Sequence, residues 1–392
     1  MHNHIPIIMD SKSLSRKSFL KISGLGLSTS LLTPNILGSK LKNLMEHKAL
    51  NSHKTKQPLK FALCGLGNYA HNWIAPAIVQ SEYAELTAII TGSPNKVSHW
   101  QNKYSIKDSN IYDYQSLDRI KDNPDIDCVY IATPTGNHAE LTIRSFEAGK
   151  HVICEKPMAP TVADCDRMIN AAKKANKTLQ IGYRLYWDPF NMDLMQAMRE
   201  LKYGSLKGME SGFSYDQGSL TWPGDWRLTQ AMNVAGALYD IGVYVVQSAF
   251  YSAQRHPLSV TASHSTDRAD IFKEIPEHWD WQFEWPNGLS SRHSSSYGRS
   301  ENYVKLKTEA GSLALEPAFS YKNIAGHTPT GTMNYPEVFQ QKLQIDGQSL
   351  AILGQSPSST PGEMGRRDIQ ALTAIMEAAD TGASVKFNHF DY

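Results

Sequence analysis

Leu59-Lys60-Phe61-Ala62-Leu63-Cys64-Gly65-Leu66-Gly67-Asn68-Tyr69-Ala70 is the stretch whose reading decides the fold. A short apolar run ends in two glycines spaced by one residue. A small residue, Ala70, follows three positions later, and a helix-compatible segment comes next. This is the strand–turn–helix opening of a dinucleotide-binding fold. Gly65 allows the tight turn, and Gly67 lets the backbone approach a pyrophosphate at a helix N-terminus. Leu66, Asn68 and Tyr69 belong to the same candidate cradle. Glycine turns after strands are common, so the motif needs support from the rest of the chain.

That support comes from strand ends further on. Glu85–Ile90 reads as a second strand, and it ends at Thr91-Gly92-Ser93-Pro94-Asn95-Lys96. This lies roughly twenty residues beyond the glycines, where a dinucleotide fold meets the adenosine ribose. Thr91, Ser93 and Lys96 offer two hydroxyls and a cation, with no carboxylate. A 2′-phosphate fits such a set and an acid would repel it, so the expectation is NADP before NAD. A solvated turn with Ser93 as a helix cap remains open. Asp127–Ile131 runs as a strand into Thr133-Pro134, and His138 opens a helix. Lys150–Cys154 is the next strand and ends in Glu155-Lys156-Pro157. Helix 162–175 and strand 179–183 follow. Strands alternating with helices predict a parallel, doubly wound sheet with its ligand outside the carboxyl ends of the strands.

Composition narrows the function. The chain has 392 residues, an apolar fraction of 41% and a net charge of +1. This length predicts two domains plus an extension. With no basic cluster, nucleic-acid binding and a polybasic membrane surface are not expected. Cys64, Cys128, Cys154 and Cys165 form no C-x-x-C pair. They read as buried free thiols, with a disulfide left open and no metal site expected.

Ser15-Arg16-Lys17-Ser18-Phe19-Leu20-Lys21, followed by a mildly apolar stretch to Leu32, has the grammar of an export signal. It is similar to a twin-arginine signal with Lys17 at the second arginine, and it is too short and polar to span a bilayer. This predicts a periplasmic or secreted protein, or a cytoplasmic one if the segment is an ordinary amphipathic helix. Residues 1–58 are read as this signal and a polar arm, 59–180 as the dinucleotide domain and 181–392 as a substrate and oligomerisation domain.

Several further motifs carry a resemblance. Gly65-Leu66-Gly67, Pro134…His138-Ala139-Glu140, Ala148-Gly149-Lys150-His151-Val152 and Cys154-Glu155-Lys156-Pro157 are joined by Ile181-Gly182-Tyr183-Arg184, Trp226-Arg227-Leu228 and Asp240-Ile241-Gly242-Val243-Tyr244. Together they resemble the glucose–fructose oxidoreductase / inositol dehydrogenase (Gfo/Idh/MocA) family, most of all its glucose–fructose oxidoreductase branch. The resemblance implies an α/β fold: an N-terminal Rossmann domain, then a C-terminal α/β domain with a large, mainly antiparallel sheet. It also implies a sugar or polyol substrate, hydride transfer with a nicotinamide cofactor, and a homo-oligomer (dimer or tetramer); the export-like leader adds the expectation that this cofactor is tightly bound. The family's lysine, here Lys156, lies between nicotinamide and substrate. Thr135 and Ala235-Gly236-Ala237 depart from the family pattern, which leaves the identity of the sugar open.

The chemistry assigns roles. Hydride transfer needs an acid–base group for the sugar oxygen and a positive charge for the developing alkoxide. Asp240 and Tyr244 lie four apart on one face of a helix predicted over 236–251. Tyr244 suits the acid–base role if a neighbouring cation lowers its pKa from about 10. Lys156 suits the second role, and Asp240 would orient Lys156 or a sugar hydroxyl. The candidate cofactor-binding residues are Gly65, Leu66, Gly67, Asn68, Tyr69, Thr91, Ser93, Lys96, Thr133, Pro134, His138, Glu155 and Lys156. The candidate sugar contacts are Tyr183, Arg184, Trp226, Arg227, Asp240 and Tyr244; the first four are equally compatible with interface packing.

In the stronger form one sugar reduces the cofactor and a second reoxidises it. Two other classes stay open: an NAD-dependent glycosidase working by transient oxidation, and a non-catalytic sugar- or nucleotide-binding module. Trp279–Trp285, Asn287-Gly288 and Leu289–Tyr297 predict a β-hairpin, and its aromatic face is expected in the core.

Overall fold

The computed structural model describes residues 57–216, 225–388 and 390. The export-like segment and most of the polar arm lie outside these residues. Among the described residues no helix is long and apolar enough to cross a membrane.

The opening strand, β1 (Leu59–Cys64), sits at the centre of a parallel sheet with β2 (Ala84–Ile90), β3 (Ile111–Tyr112), β4 (Cys128–Ile131), β5 (His151–Cys154) and β6 (Leu179–Ile181). Their order is β3-β2-β1-β4-β5-β6, the doubly wound arrangement of a dinucleotide-binding domain. Strand side chains alternate between faces, and both faces are covered. Phe61, Leu63, Cys128, Tyr130 and Ile153 pack on α1 (Ala75–Gln80) and on Trp100 of α2 (Val97–Tyr104). Ala62, Cys64, Val129, Ile131, Val152 and Cys154 pack with α3 (His138–Glu147) and α4 (Val162–Ala175). All four cysteines are buried free thiols.

Helical structure begins at Ala70, directly after the glycine turn. A wide turn over Ala70–Ile74 precedes α1, because Pro76 lacks the N–H that an α-helical bond would need.

α5 (Pro189–Arg199) leads into a second sheet of nine strands: β7 (Leu206–Ser214), β8 (Ser259–Ser265), β9 (His278–Glu284), β10 (Ser290–Ser296), β11 (Glu301–Thr308), β12 (Gly311–Leu315), β13 (Gly326–Thr328), β14 (Gly331–Thr332) and β15 (Val385–Lys386). Its pairs are antiparallel except β7 with β10, which run parallel. The hairpin forms as predicted, with Asn287 in the left-handed conformation at its turn. Trp279, Trp281, Phe283 and Trp285 are all core residues. α6 (Val243–Ala253) packs behind this sheet and is buried along its whole length.

Two late helices complete the molecule: α7 (Gln340–Ile352) and α8 (Gly362–Thr381). The chain does not stay in its second half. α7 returns to the first sheet, where Ile345 joins the core under β1. Gln180 and Ile181 of β6 bond to Gln348 and Thr360. Sequence periodicity gave no sign of α7, because its buried face carries Gln340, Gln344 and Gln348 in place of aliphatic side chains.

Candidate active site

The glycine turn leaves β1 at its carboxyl end. Gly65 has φ +93°, and a Cβ there would stand 2.7 Å from the carbonyl oxygen of Ala132. Only glycine lets the ends of β1 and β4 come this close. Gly67 and Asn68 are exposed, and nothing lies within 4 Å of a Cβ built on Gly67. Thr133 adds a buried hydroxyl with no hydrogen-bond partner among the described residues. An open, donor-rich turn with an unmatched hydroxyl beside it suits the diphosphate of a dinucleotide.

At the end of β2, the Thr91 hydroxyl accepts the Ser93 N–H at 3.0 Å. Lys96 Nζ donates to the carbonyl of Leu66 at 2.9 Å, tying this turn to the glycine turn. The three residues therefore stand together beside the glycines, with a cation among them. Ser93 precedes a short turn, but its side chain makes no cap hydrogen bond. His138 lies beneath the site. It is fully buried, and its ring nitrogens each lie 2.9 Å from a carbonyl oxygen, Thr133 on one side and Pro157 on the other. Its place is to hold two strand ends together, including the turn at Pro134.

Lys156 follows β5 directly. Its ammonium donates to the main-chain carbonyl of Asp240 at 2.7 Å and lies 3.3 Å from the Asp240 carboxylate and 5.0 Å from the centre of the Tyr244 ring. Burial disfavours the ammonium, yet Tyr244, Asp240 and Glu155 around it hold its pKa above the usual lysine value. Asp240 sits in a wide π-type turn, Leu238–Gly242, that leads into α6, and Tyr244 lies on the first turn of α6. The wide turn brings the Asp240 carbonyl, its carboxylate and the Tyr244 ring to the same ammonium.

Burial pushes the Asp240 carboxyl up, but Lys156, Arg227 and the Tyr297 hydroxyl outweigh it and lower its pKa. Its Oδ2 accepts from Tyr297 at 2.9 Å and from Tyr215 at 3.3 Å, with Arg227 Nε at 3.9 Å. Both carboxylate oxygens are thus engaged by protein groups. Arg227 also lies over the Trp226 ring at 4.7 Å and pairs with buried Asp225.

Glu155 is buried. Tyr130 donates to its Oε1 at 2.5 Å, and the Lys156 N–H reaches its Oε2 at 3.2 Å. Burial raises its pKa to about 6, against the opposing pull of Tyr130 and Lys156. Gly182 makes room for it: a Cβ there would meet Glu155 Oε1 at 2.6 Å. Tyr69 of the glycine turn faces this cluster. Burial carries its phenol well above 10; Glu155, Tyr321 and Tyr244 add to the rise and Arg184 opposes it.

Two expected sugar contacts are placed otherwise. Tyr183 is fully buried and stacks on Tyr186, with Asp368 and Arg367 of α8 as its charged neighbours. Arg184 is also buried and spends its guanidinium on protein acceptors: Tyr244, Ser320, Gln340 and Phe319. Other residues of the cluster carried no signal in the sequence: Tyr130, Tyr215, Tyr297 and Tyr321. Tyr321 stacks between Trp73 at 4.4 Å and the Arg184 guanidinium at 4.3 Å.

Residues 59–183 match the oxidoreductase family with an NAD-binding Rossmann fold, and residues 192–313 match the GFO/IDH/MocA C-terminal domain. The fold superposes on the aldose-aldose oxidoreductase from Caulobacter crescentus with a TM-score of 0.80, at 34% identity over 84% of this chain and 100% of that one. The D-xylose 1-dehydrogenase [NADP(+)] of Haloarcula marismortui is 22% identical over 85% of this chain and 94% of its own length. A levoglucosan dehydrogenase, solved with NADH and levoglucosan, shares the fold with a TM-score of 0.73 at 20% identity, over 85% of this chain and 100% of that one.

Proposed function

We propose, for a chain that belongs to the Gfo/Idh/MocA oxidoreductase family, that it moves hydride between a sugar and a nicotinamide dinucleotide held at the glycine turn. The observation that carries this reading is the convergence of Lys156, Asp240 and Tyr244 beside a turn that fits a dinucleotide. When bound, the nicotinamide supplies the hydride acceptor or donor. The protein supplies the rest. Tyr244 is the acid–base group for the sugar oxygen, and Lys156 stabilises negative charge on that oxygen. Asp240 is a positioning residue, since its carboxylate is engaged by Lys156, Tyr297 and Tyr215. Trp226 and Arg227 are the remaining sugar-contact candidates: both are half-buried, Arg227 stands beside Asp240, and its guanidinium lies over the Trp226 ring.

The cofactor we assign is NADP. Support comes from Thr91, Ser93 and Lys96, a carboxylate-free set tied to the glycine turn, and from the NADP-dependent xylose dehydrogenase among the relatives. The finer reading is that the cofactor stays bound while one sugar reduces it and a second reoxidises it. The aldose-aldose oxidoreductase at 34% identity supports this coupling, and the export-like segment at 15–32 agrees with it, since a retained cofactor suits a compartment poor in free nicotinamide. On the same reading the division of labour is 1–58 for export and arm, 59–180 for dinucleotide and 181–392 for substrate and assembly into a dimer or tetramer.

The test is to purify the protein and record the reduced-nicotinamide absorbance while a panel of aldoses is added without free cofactor. Bleaching of that band by a second sugar is the expected sign of coupling. Turnover only when free cofactor is supplied would reject the retained-cofactor form. Release of sugar from a glycoside with no net redox change would reject the oxidoreductase reading.

A further inference from the structure

We infer that Arg184 is the positioning residue that aims the Tyr244 proton at the substrate, because its Nε donates to the phenolic oxygen and leaves the O–H no partner on that side. The Arg184 Nε lies 3.3 Å from the Tyr244 oxygen, and the guanidinium lies 5.0 Å from the ring centre. This deepens the reading proposed above and rests on it.

A guanidinium and an ammonium can only donate. Tyr244 is flanked by one of each, Arg184 at its oxygen and Lys156 at its ring face. The phenolic hydrogen can therefore be given to neither. Among the described residues Tyr244 donates no hydrogen bond, although it is only 4% exposed. A buried O–H without an acceptor is costly unless something arrives to take it, and a sugar oxygen at Lys156 would do so. Tyr69 and Tyr321 also face Tyr244, and Asp240 and Glu155 face the neighbouring Lys156. Phe213 and Phe319 close the remaining side of the ring.

Arg184 is fixed for this task. Nη1 bonds to the carbonyl of Ser320 at 3.1 Å and to Gln340, and Nη2 bonds to the carbonyl of Phe319. Gln340 is itself held by donating to Asp188 at 3.1 Å. The Tyr321 ring covers the guanidinium face at 4.3 Å. So the side chain cannot swing out to grip a sugar, but it can hold the phenolic oxygen still.

When a sugar carbonyl is reduced, a nicotinamide held at the glycine turn would supply the hydride to carbon. The Tyr244 O–H bond breaks as a new O–H bond forms at the sugar oxygen. The phenolate left behind is stabilised by Arg184 and Lys156 and is reprotonated from water. Oxidation runs the same transfers in reverse.

The experiment compares Arg184→Lys, Tyr244→Phe and the double variant as holoenzymes, measuring kcat and KM for sugar oxidation across pH. Arg184→Lys is expected to lower kcat about tenfold or more, with KM changed less than about threefold, and to move the rising limb of the profile to higher pH by about one unit. In the Tyr244→Phe background the same substitution should change the rate by less than about twofold, since the group it serves is gone. Gln340→Met, which loosens the anchor without touching Tyr244, should shift the limb in the same direction and replaces Arg184→Lys if that variant fails to fold. An unshifted limb, or an equal loss with and without the Tyr244 hydroxyl, overturns the role of Arg184. Wild-type turnover in Tyr244→Phe overturns the proposed function itself and is a distinct result.

Discussion

Lys156 Nζ lies 2.7 Å from the main-chain carbonyl of Asp240 but 3.3 Å from the carboxylate of that residue. The shorter bond belongs to the backbone of the wide turn, so the lysine is positioned by the fold as well as by charge. Removing the lysine and removing the carboxylate should therefore differ. Lys156→Ala is expected to keep the cofactor bound and to lower hydride transfer by about 10³-fold or more. Asp240→Asn keeps the carbonyl anchor and is expected to cost only about 10- to 100-fold. Single-turnover rates on the holoenzymes decide it, and Lys156→Ala turnover within about tenfold of wild type would rule out its assigned role.

Cofactor preference can be reversed at one position. Thr91 is nearly buried, and its hydroxyl accepts the Ser93 N–H. An aspartate there can still accept that bond while placing a negative charge where a 2′-phosphate would lie. Thr91→Asp should weaken NADP relative to NAD by at least about tenfold, and Lys96→Ala should weaken NADP more than NAD. Calorimetric titration of both cofactors is the measurement; an unchanged ratio in both variants would reject the assignment of Thr91 and Lys96 to a 2′-phosphate.

The strand–helix alternation, the glycine turn and the one-turn spacing of Asp240 and Tyr244 were legible because each is a local pattern. The tyrosines around Asp240 were not. Tyr215 follows β7 and Tyr297 follows β10, far apart in sequence. They meet because β7 and β10 run parallel inside an otherwise antiparallel sheet, which puts both carboxyl ends at one edge. No periodicity announces a parallel pairing of distant strands. Arg184 misled for a related reason. An arginine near a strand end reads as a ligand-binding group until its acceptors are known, and these come from Phe319, Ser320 and Gln340, more than a hundred residues later.

Stability should carry a pH signature from Glu155. Its pKa rises from 4.5 to about 6 on folding, chiefly through burial. Above about pH 6 the folded state must hold a buried charge. Between about 4.5 and 6 the folded state binds more protons than the unfolded chain, so stability falls as pH rises through this window. The loss amounts to about 2 kcal/mol, an order-of-magnitude figure. Glu155→Gln should abolish this slope while keeping an acceptor for Tyr130. Urea denaturation in steps from pH 4 to 7 tests it, and a slope of the same size in the variant would assign the effect to another group.

The room given to that carboxylate is itself testable. Gly182 lies against Glu155, and an added Cβ would stand 2.6 Å from Oε1 and 2.8 Å from Cδ. Glu155 cannot retreat freely, because Tyr130 grips Oε1 and Gln344 of α7 holds Tyr130 in turn at 3.0 Å. Gly182→Ala should therefore destabilise by about 1–3 kcal/mol, as overpacking of a buried site does. It should also displace the Glu155–Lys156 segment and lower kcat. If the clash is the cause, Gly182→Ala combined with Glu155→Ala should recover part of the stability lost by the glycine change, because the carboxylate it strikes is no longer there. Thermal melts of the four proteins in this cycle give the coupling energy directly; strict additivity would place the strain elsewhere.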